Sequence, residues 1–219
     1  VPTLMLYEPA SYKENITTAD KKYIDLSLEI ESGFPYNGNS VITVNTSQTA
    51  LFPLGLRVPS WCRSFVAEVD GEEYKGTANQ YLIIKRVWKP GEKINVSFKI
   101  PVQIVTDSKN YPGQIAFERG PQVLAFDNSL NLNVELIKKY QFGMDQKLLV
   151  EKPGSTSDAD VLPEQWIGKQ AYTVNVIDRK KNEAGQQFVL VPFADASQTG
   201  GDIKVWMPLD VTNQSIKSN

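Results

Sequence analysis

Apolar and polar residues alternate along most of this chain. Residues 23–31 (YIDLSLEIE) put Ile24, Leu26, Leu28 and Ile30 on one side and Asp25, Ser27, Glu29 and Glu31 on the other. Residues 94–100 (INVSFKI) repeat the period with Ile94, Val96, Phe98 and Ile100. Successive side chains of a strand point to opposite faces, so this period predicts half-buried antiparallel strands. The same reading predicts strands at 3–7, 41–46, 52–57, 65–69, 81–87, 114–119, 121–126, 147–151, 170–178, 187–193 and 203–207. Asp70-Gly71 predicts a tight hairpin, and Pro35–Gly38, Lys89–Gly91 and Tyr111–Gly113 punctuate other runs. Only residues 129–142 carry a weak helical pattern. Many short strands at this spacing predict an all-β fold, an antiparallel sandwich of jelly-roll type.

The stretch Ser108–Gly113 (SKNYPG) interrupts the alternation, which restarts at Gln114. It divides the chain into a first β-sandwich at 1–112, a second β domain at 113–210 and a polar tail at 211–219. The polar loop 152–165 (KPGSTSDADVLPEQ) is the stretch expected to be mobile. In the run 81–88 (YLIIKRVW) both faces are apolar, so alternation alone does not choose the inner one. A long Arg stem can lie along apolar surface with its head in water. That consideration places Leu82, Ile84 and Trp88 inside, with Arg86 at the sheet margin.

Charge and composition remove several functions. The net charge is −2 with both signs well mixed, which gives no footprint for nucleic acid or an anionic membrane. Apolar runs are only strand-length, so no membrane span is expected. The chain shows no signal peptide and opens on Val1 rather than Met, which reads as a piece of a longer protein. Its compartment stays open, with periplasm or cell exterior favoured for the parent. One cysteine excludes an internal disulfide and a multi-cysteine zinc site. The absence of histidine removes the commonest general base and every serine–histidine relay.

Carboxylates are then the acid–base candidates, and glycosidases need two of them facing across a sugar. Glu72-Glu73 reads as a solvated turn and Glu118 as half of a strand-end ion pair. Asp158 and Asp160 sit among hydroxyls but lack the glycine and closing glutamate of a calcium-binding loop. The sequons at Asn15, Asn45, Asn95 and Asn213 are short patterns expected by chance, and Asn95 lies in mid-strand. No catalytic residue, metal site or cofactor is expected. Trp88 and Trp206 lie in strand-like runs and read as core. Trp61 and Trp166 follow turn or loop residues, which makes them the candidates for a carbohydrate platform.

Several segments resemble, in order, glycoside hydrolase family 127, the β-L-arabinofuranosidase family once called domain of unknown function 1680. Residues 56–62 (LRVPSWC) are similar to its Leu-Arg-Ile-Pro-x-Trp segment, and 32–38 (SGFPYNG) to the strand and turn before it. Asp70-Gly71 stands where Asn-Gly is usual. Tyr81 to Glu92 resembles the family's Gly-Tyr-x-x-Ile-x-Arg-x-Trp-x-x-Gly-Asp stretch. Residues 115–121 (IAFERGP), 189–193 (VLVPF) and 204–208 (KVWMP) resemble its later strands. Phe193 replaces the usual Tyr, and Ala194–Gly201 departs from the family pattern.

The resemblance implies an active site elsewhere, in an (α/α)6 barrel preceding these β domains, where a glutamate and zinc-bound cysteines act with cysteine as nucleophile. Cys62 lies outside that cysteine pattern, so none of this chemistry maps onto the present residues. The implied role is an accessory region that braces the N-terminal catalytic barrel of the same parent and shapes its substrate cleft. The alternative is an autonomous carbohydrate-binding module. An accessory region would expose a broad apolar face where its neighbour was removed, and a binding module would expose aromatic rings.

Overall fold

A computed structural model describes residues 1–18, 20–131, 148–149, 162–168, 170–175 and 187–208. The described residues contain strands and short 3-10 turns but no α-helix. The chain divides into two compact units, Val1–Pro101 and Val102–Asn219.

The first unit contains β1 (Thr3–Leu4), β2 (Ala10–Thr17), β3 (Tyr23–Ser32), β4 (Asn39–Thr46), β5 (Ala50–Arg57), β6 (Phe65–Val69), β7 (Glu72–Gly76), β8 (Tyr81–Trp88) and β9 (Glu92–Phe98). A six-stranded antiparallel sheet runs in the order β2-β3-β4-β9-β6-β7. A three-stranded sheet runs β1-β5-β8, with β1 parallel to β5 and β5 antiparallel to β8. The inward residues of both sheets fill one core. Ile24, Leu26, Leu28, Ile42, Ile94 and Val96 enter it from the larger sheet, and Phe52, Leu54, Leu56, Ile84 and Trp88 from the smaller. The period-two stripes read from the sequence are thus the two walls of an antiparallel sandwich.

Asp70-Gly71 closes a two-residue hairpin, opposing Val69 to Glu72. Its φ angles are +53° and +80°, the left-handed pair that a right-twisted hairpin needs. In β8, Ile84 and Trp88 are fully buried and Leu82 packs against the core. Arg86 differs from expectation. Its guanidinium is held by the Glu92 carboxylate at 3.1 Å instead of resting in water. It also lies 5.5 Å from the centre of the Trp88 ring.

The second unit contains β10 (Val102–Thr106), β11 (Gln114–Arg119), β12 (Gln122–Asp127), β13 (Leu148–Leu149), β14 (Tyr172–Asn175), β15 (Gln187–Pro192), β16 (Ile203–Lys204) and β17 (Met207–Pro208). They form one sheet in the order β10-β11-β12-β15-β14-β13, with β16 on β12 and β17 on β11. Ile115, Phe117, Leu124, Phe126, Tyr172, Phe188, Leu190 and Met207 make its core. Two side chains extend the backbone ladder. Asn131 donates to Val189 O at 3.0 Å and accepts from Val189 N at 2.9 Å, which copies one rung of a neighbouring strand. The buried Asp127 carboxylate accepts from Ser129 N, Ser129 Oγ and Ser197 N, and so ties two loops together. A buried carboxylate is tolerated only with such partners.

Three strands exceed the sequence reading: β2, β7 and β10. The last bears on the boundary. Residues 102–106, assigned by the break at 108–113 to the first sandwich, pair with β11 over Val102↔Arg119 to Thr106↔Ile115. The run 203–207 is interrupted at Val205-Trp206, and the 3–7 run is regular only at Thr3–Leu4. Near the weak helical pattern, Asn128–Leu130 forms a 3-10 turn. The rest of that pattern, most of the polar loop, Asp158, Asp160, Asn213 and the tail 211–219 lie outside the described residues.

Candidate functional site

The small sheet of the first unit has two apolar faces, and only one is used by the core. Leu51, Pro53, Gly55 and Arg57 of β5 alternate outward, as do Tyr81, Ile83, Lys85 and Val87 of β8. The register sets Leu51 opposite Val87, Pro53 opposite Lys85, Gly55 opposite Ile83 and Arg57 opposite Tyr81. Directly opposed residues sit side by side on one face, so these pairs form a continuous patch. Leu51, Ile83, Val87 and Tyr81 are 44, 49, 50 and 53% exposed. Gly55, at its centre, is buried under the Thr3 side chain. A Cβ there would stand 2.7 Å from Thr3 Oγ1 and 3.3 Å from the Ile83 side chain. Its charged members, Arg57 and Lys85, are both cations. Strands buried on both faces read as near-continuous apolar runs, which is how YLIIKRVW reads.

The tryptophans proposed as sugar platforms are placed differently. Trp61 is half-buried, its ring parallel to Phe34 at 6.3 Å and tilted against Phe98 at 5.9 Å. It forms the rim of the first core. Trp166 is buried, so its ring offers no open face, and its indole nitrogen has no hydrogen-bond partner among the described residues. A stacked aromatic pair with one exposed ring lies elsewhere. Tyr111 and Trp206 stack with ring centres 4.4 Å apart and planes 11° from parallel. Both were passed over in the sequence, Tyr111 as a turn residue and Trp206 as core. No period in the sequence marks Trp206, which lies in a bend between β16 and β17.

The acid–base candidates do not assemble into a glycosidase pair. Glu72 accepts from Tyr74 Oη at 2.6 Å on an exposed strand. Glu73 stands directly opposite Glu68 across the β6–β7 hairpin. Glu68 accepts from Asn95 Nδ2 at 2.9 Å and Gly71 N at 2.7 Å, and the Asn95 bond first holds its carboxyl below the ordinary value. A general acid needs the opposite shift. The ion pair expected at Glu118 is not formed among the described residues. Its neighbour Arg119 lies over the Tyr172 ring at 5.5 Å. Cys62 is buried, its thiol donates to Ser64 O at 3.1 Å, and burial pushes its pKa up. Among the described residues no three or more His, Cys, Asp or Glu side chains gather as for a metal. Nor is any helix there long and apolar enough to cross a membrane.

Residues 8–100 match the family model described as the middle domain of GH127, beta-L-arabinofuranosidase. Three solved structures share the fold over most of the chain. A GH127 beta-L-arabinofuranosidase from Geobacillus stearothermophilus T6 superposes with a TM-score of 0.72 at 22% identity, over 95% of this chain and 33% of its own. A protein titled glycoside hydrolase gives 0.71 at 22% identity, over 94% of this chain and 35% of its own. A GH127 beta-arabinofuranosidase gives 0.70 at 22% identity, over 95% and 35%. Residues 8–100 are a GH127 family region.

No match is found among the curated proteins. At this identity the structural likenesses carry the fold alone. The chain spans about a third of the length of the solved chains it resembles. The GH127 region takes in all of the apolar patch and the segment Leu56–Cys62, in which β5 ends and Trp61 turns onto the core rim. It is a glycoside hydrolase-associated domain.

Proposed function

We propose that this chain is a non-catalytic accessory β region of a glycoside hydrolase of the arabinofuranosidase type. In this reading its first unit braces the catalytic barrel of the same parent and helps to wall the substrate cleft. The observation that carries the reading is the exposed outer face of the small sheet, with Leu51, Ile83, Val87 and Tyr81 in register. Contiguous apolar faces of this kind mark surfaces that meet another protein body. The cations on this face, Arg57 at one end and Lys85 within it, ask for a neighbour that brings acidic groups to meet them. The length of the solved relatives, about three times that of this chain, supports a neighbour within the same polypeptide.

The test is the pair Leu51→Lys and Ile83→Lys, placed in the isolated chain and in the full-length parent. Both residues point away from the core, so the isolated chain is expected to melt as before and to be more soluble. The parent is expected to lose stability and turnover together. A parent that keeps its melting temperature and activity would overturn the assignment of this face.

A further inference from the structure

From the second unit we infer a carbohydrate subsite: the stacked pair Tyr111–Trp206 holds the apolar face of one sugar ring of a neutral oligosaccharide. The inference rests on the reading of the parent as a glycoside hydrolase, but it concerns different residues from the docking face. Tyr111 is 41% exposed although one side of its ring lies against Trp206. A large aromatic side chain left open on a surface, and held still, is what a sugar ring stacks upon, since its C–H face is apolar while its hydroxyls remain in water.

The ring is held still by the loop that carries it. The Asp107 carboxylate accepts from Lys109 N and Asn110 N, both at 3.1 Å, and from Asn110 Nδ2 at 2.6 Å. Tyr111 N donates to Asp107 O at 2.8 Å, and Gln114 N donates to Tyr111 O at 3.2 Å. Gly113 closes the turn with φ +69°, which an ordinary side chain would resist. From the other side, β17 pairs with β11 at Ile115↔Met207, and the half-buried Trp206 just before it stacks on Tyr111. The platform therefore forms without a ligand, and little ordering is left to oppose binding. The exposed Asn110 and Lys109 beside it supply polar groups for sugar hydroxyls. The stacked rings carry no charge, and the nearby Asp107 oxygens are already occupied by the loop. That arrangement suits a neutral sugar and provides no acid–base step.

The experiment is a titration of the complete chain with linear arabino-oligosaccharides, xylo-oligosaccharides and cello-oligosaccharides. It is followed by saturation-transfer NMR on the sugar C–H protons and by tryptophan emission. Weak saturable binding of at least one series is expected. Tyr111→Ala should weaken it about tenfold or more without moving the melting temperature, and Tyr111→Phe, which keeps the ring, should restore it. Binding that survives Tyr111→Ala, or no binding of any series, would overturn the subsite. Either result would leave the accessory role standing, because that role is read from the Leu51 and Ile83 substitutions in the parent.

Discussion

Trp88 shows how one side chain can anchor the small sheet of the first unit in its core. Its ring is fully buried and tilted against Phe52 at 6.0 Å, and its indole N–H donates to Phe52 O at 3.1 Å. The Arg86 guanidinium covers it and is itself neutralised by Glu92. Removing a buried Trp side chain costs about 3–5 kcal/mol, and whole domains are stable by only about 5–15 kcal/mol. Trp88→Ala is therefore expected to shift the urea midpoint of the first unit by a large fraction, and Trp88→Phe by clearly less. Equal midpoints for wild type and Trp88→Ala would show that the ring is not structural. The inner position of Trp88 was read from the long stem of Arg86 on its face, because both faces of the run 81–88 are apolar and alternation does not choose between them. The pairing of Arg86 with Glu92 was not legible, because a turn at Lys89–Gly91 brings them together and no period records it.

Among the elements, the legible strands are those with a buried stripe. β3 and β9 alternate cleanly and were evident. β2 has eight residues but only Ile16 is buried, so its sequence ASYKENIT carries almost no apolar period. It is an edge strand, and edge strands are kept polar because their free backbone groups would otherwise pair with other chains. β7 (EEYKG) closes the other edge of the same sheet for the same reason. The hairpin that leads to β7 was legible through Asp70-Gly71 alone, since few dipeptides accept two left-handed residues in succession. Its glycine gives a clean test. A Cβ at Gly71 would meet nothing within 4 Å, so substitution costs only backbone strain at φ +80°. Gly71→Ala is expected to destabilise the first unit by about 1–2 kcal/mol, read as a lower urea midpoint at unchanged slope. No change in midpoint would mean that the turn relaxes to another type. The aromatic pair Tyr111–Trp206 was illegible for a different reason: it joins a loop to a strand end some ninety positions away by number, and only the β11–β17 pairing brings them together.

At the scale of the whole molecule, each sheet among the described residues draws its strands from one compact unit only. The division falls at Pro101–Val102, ahead of the Ser108–Gly113 stretch that breaks the sequence pattern. The sequence break marks a turn inside the second unit, because β10 crosses it to pair with β11. Each of the two ways of cutting the chain has a distinct consequence. A fragment 1–101 keeps every strand of the first sandwich, and a fragment 1–112 adds only β10 and its loop, which have no partner there. The two are expected to melt alike, with Ile83→Lys included in both to keep the exposed sheet face soluble. The second unit is expected to behave otherwise. A fragment 102–219 keeps the ladder from Val102↔Arg119 to Thr106↔Ile115 and the packing of Ile104 on the core. A fragment 113–219 loses both, and leaves the apolar strand β11 with one long edge open. It should unfold at lower urea or aggregate, while 102–219 gives the sharper transition. The measurement is urea unfolding of all four fragments by circular dichroism. A folded 1–112 beside an unfolded 1–101, or equal stability of 102–219 and 113–219, would return β10 to the first unit and the boundary to the Ser108–Gly113 turn.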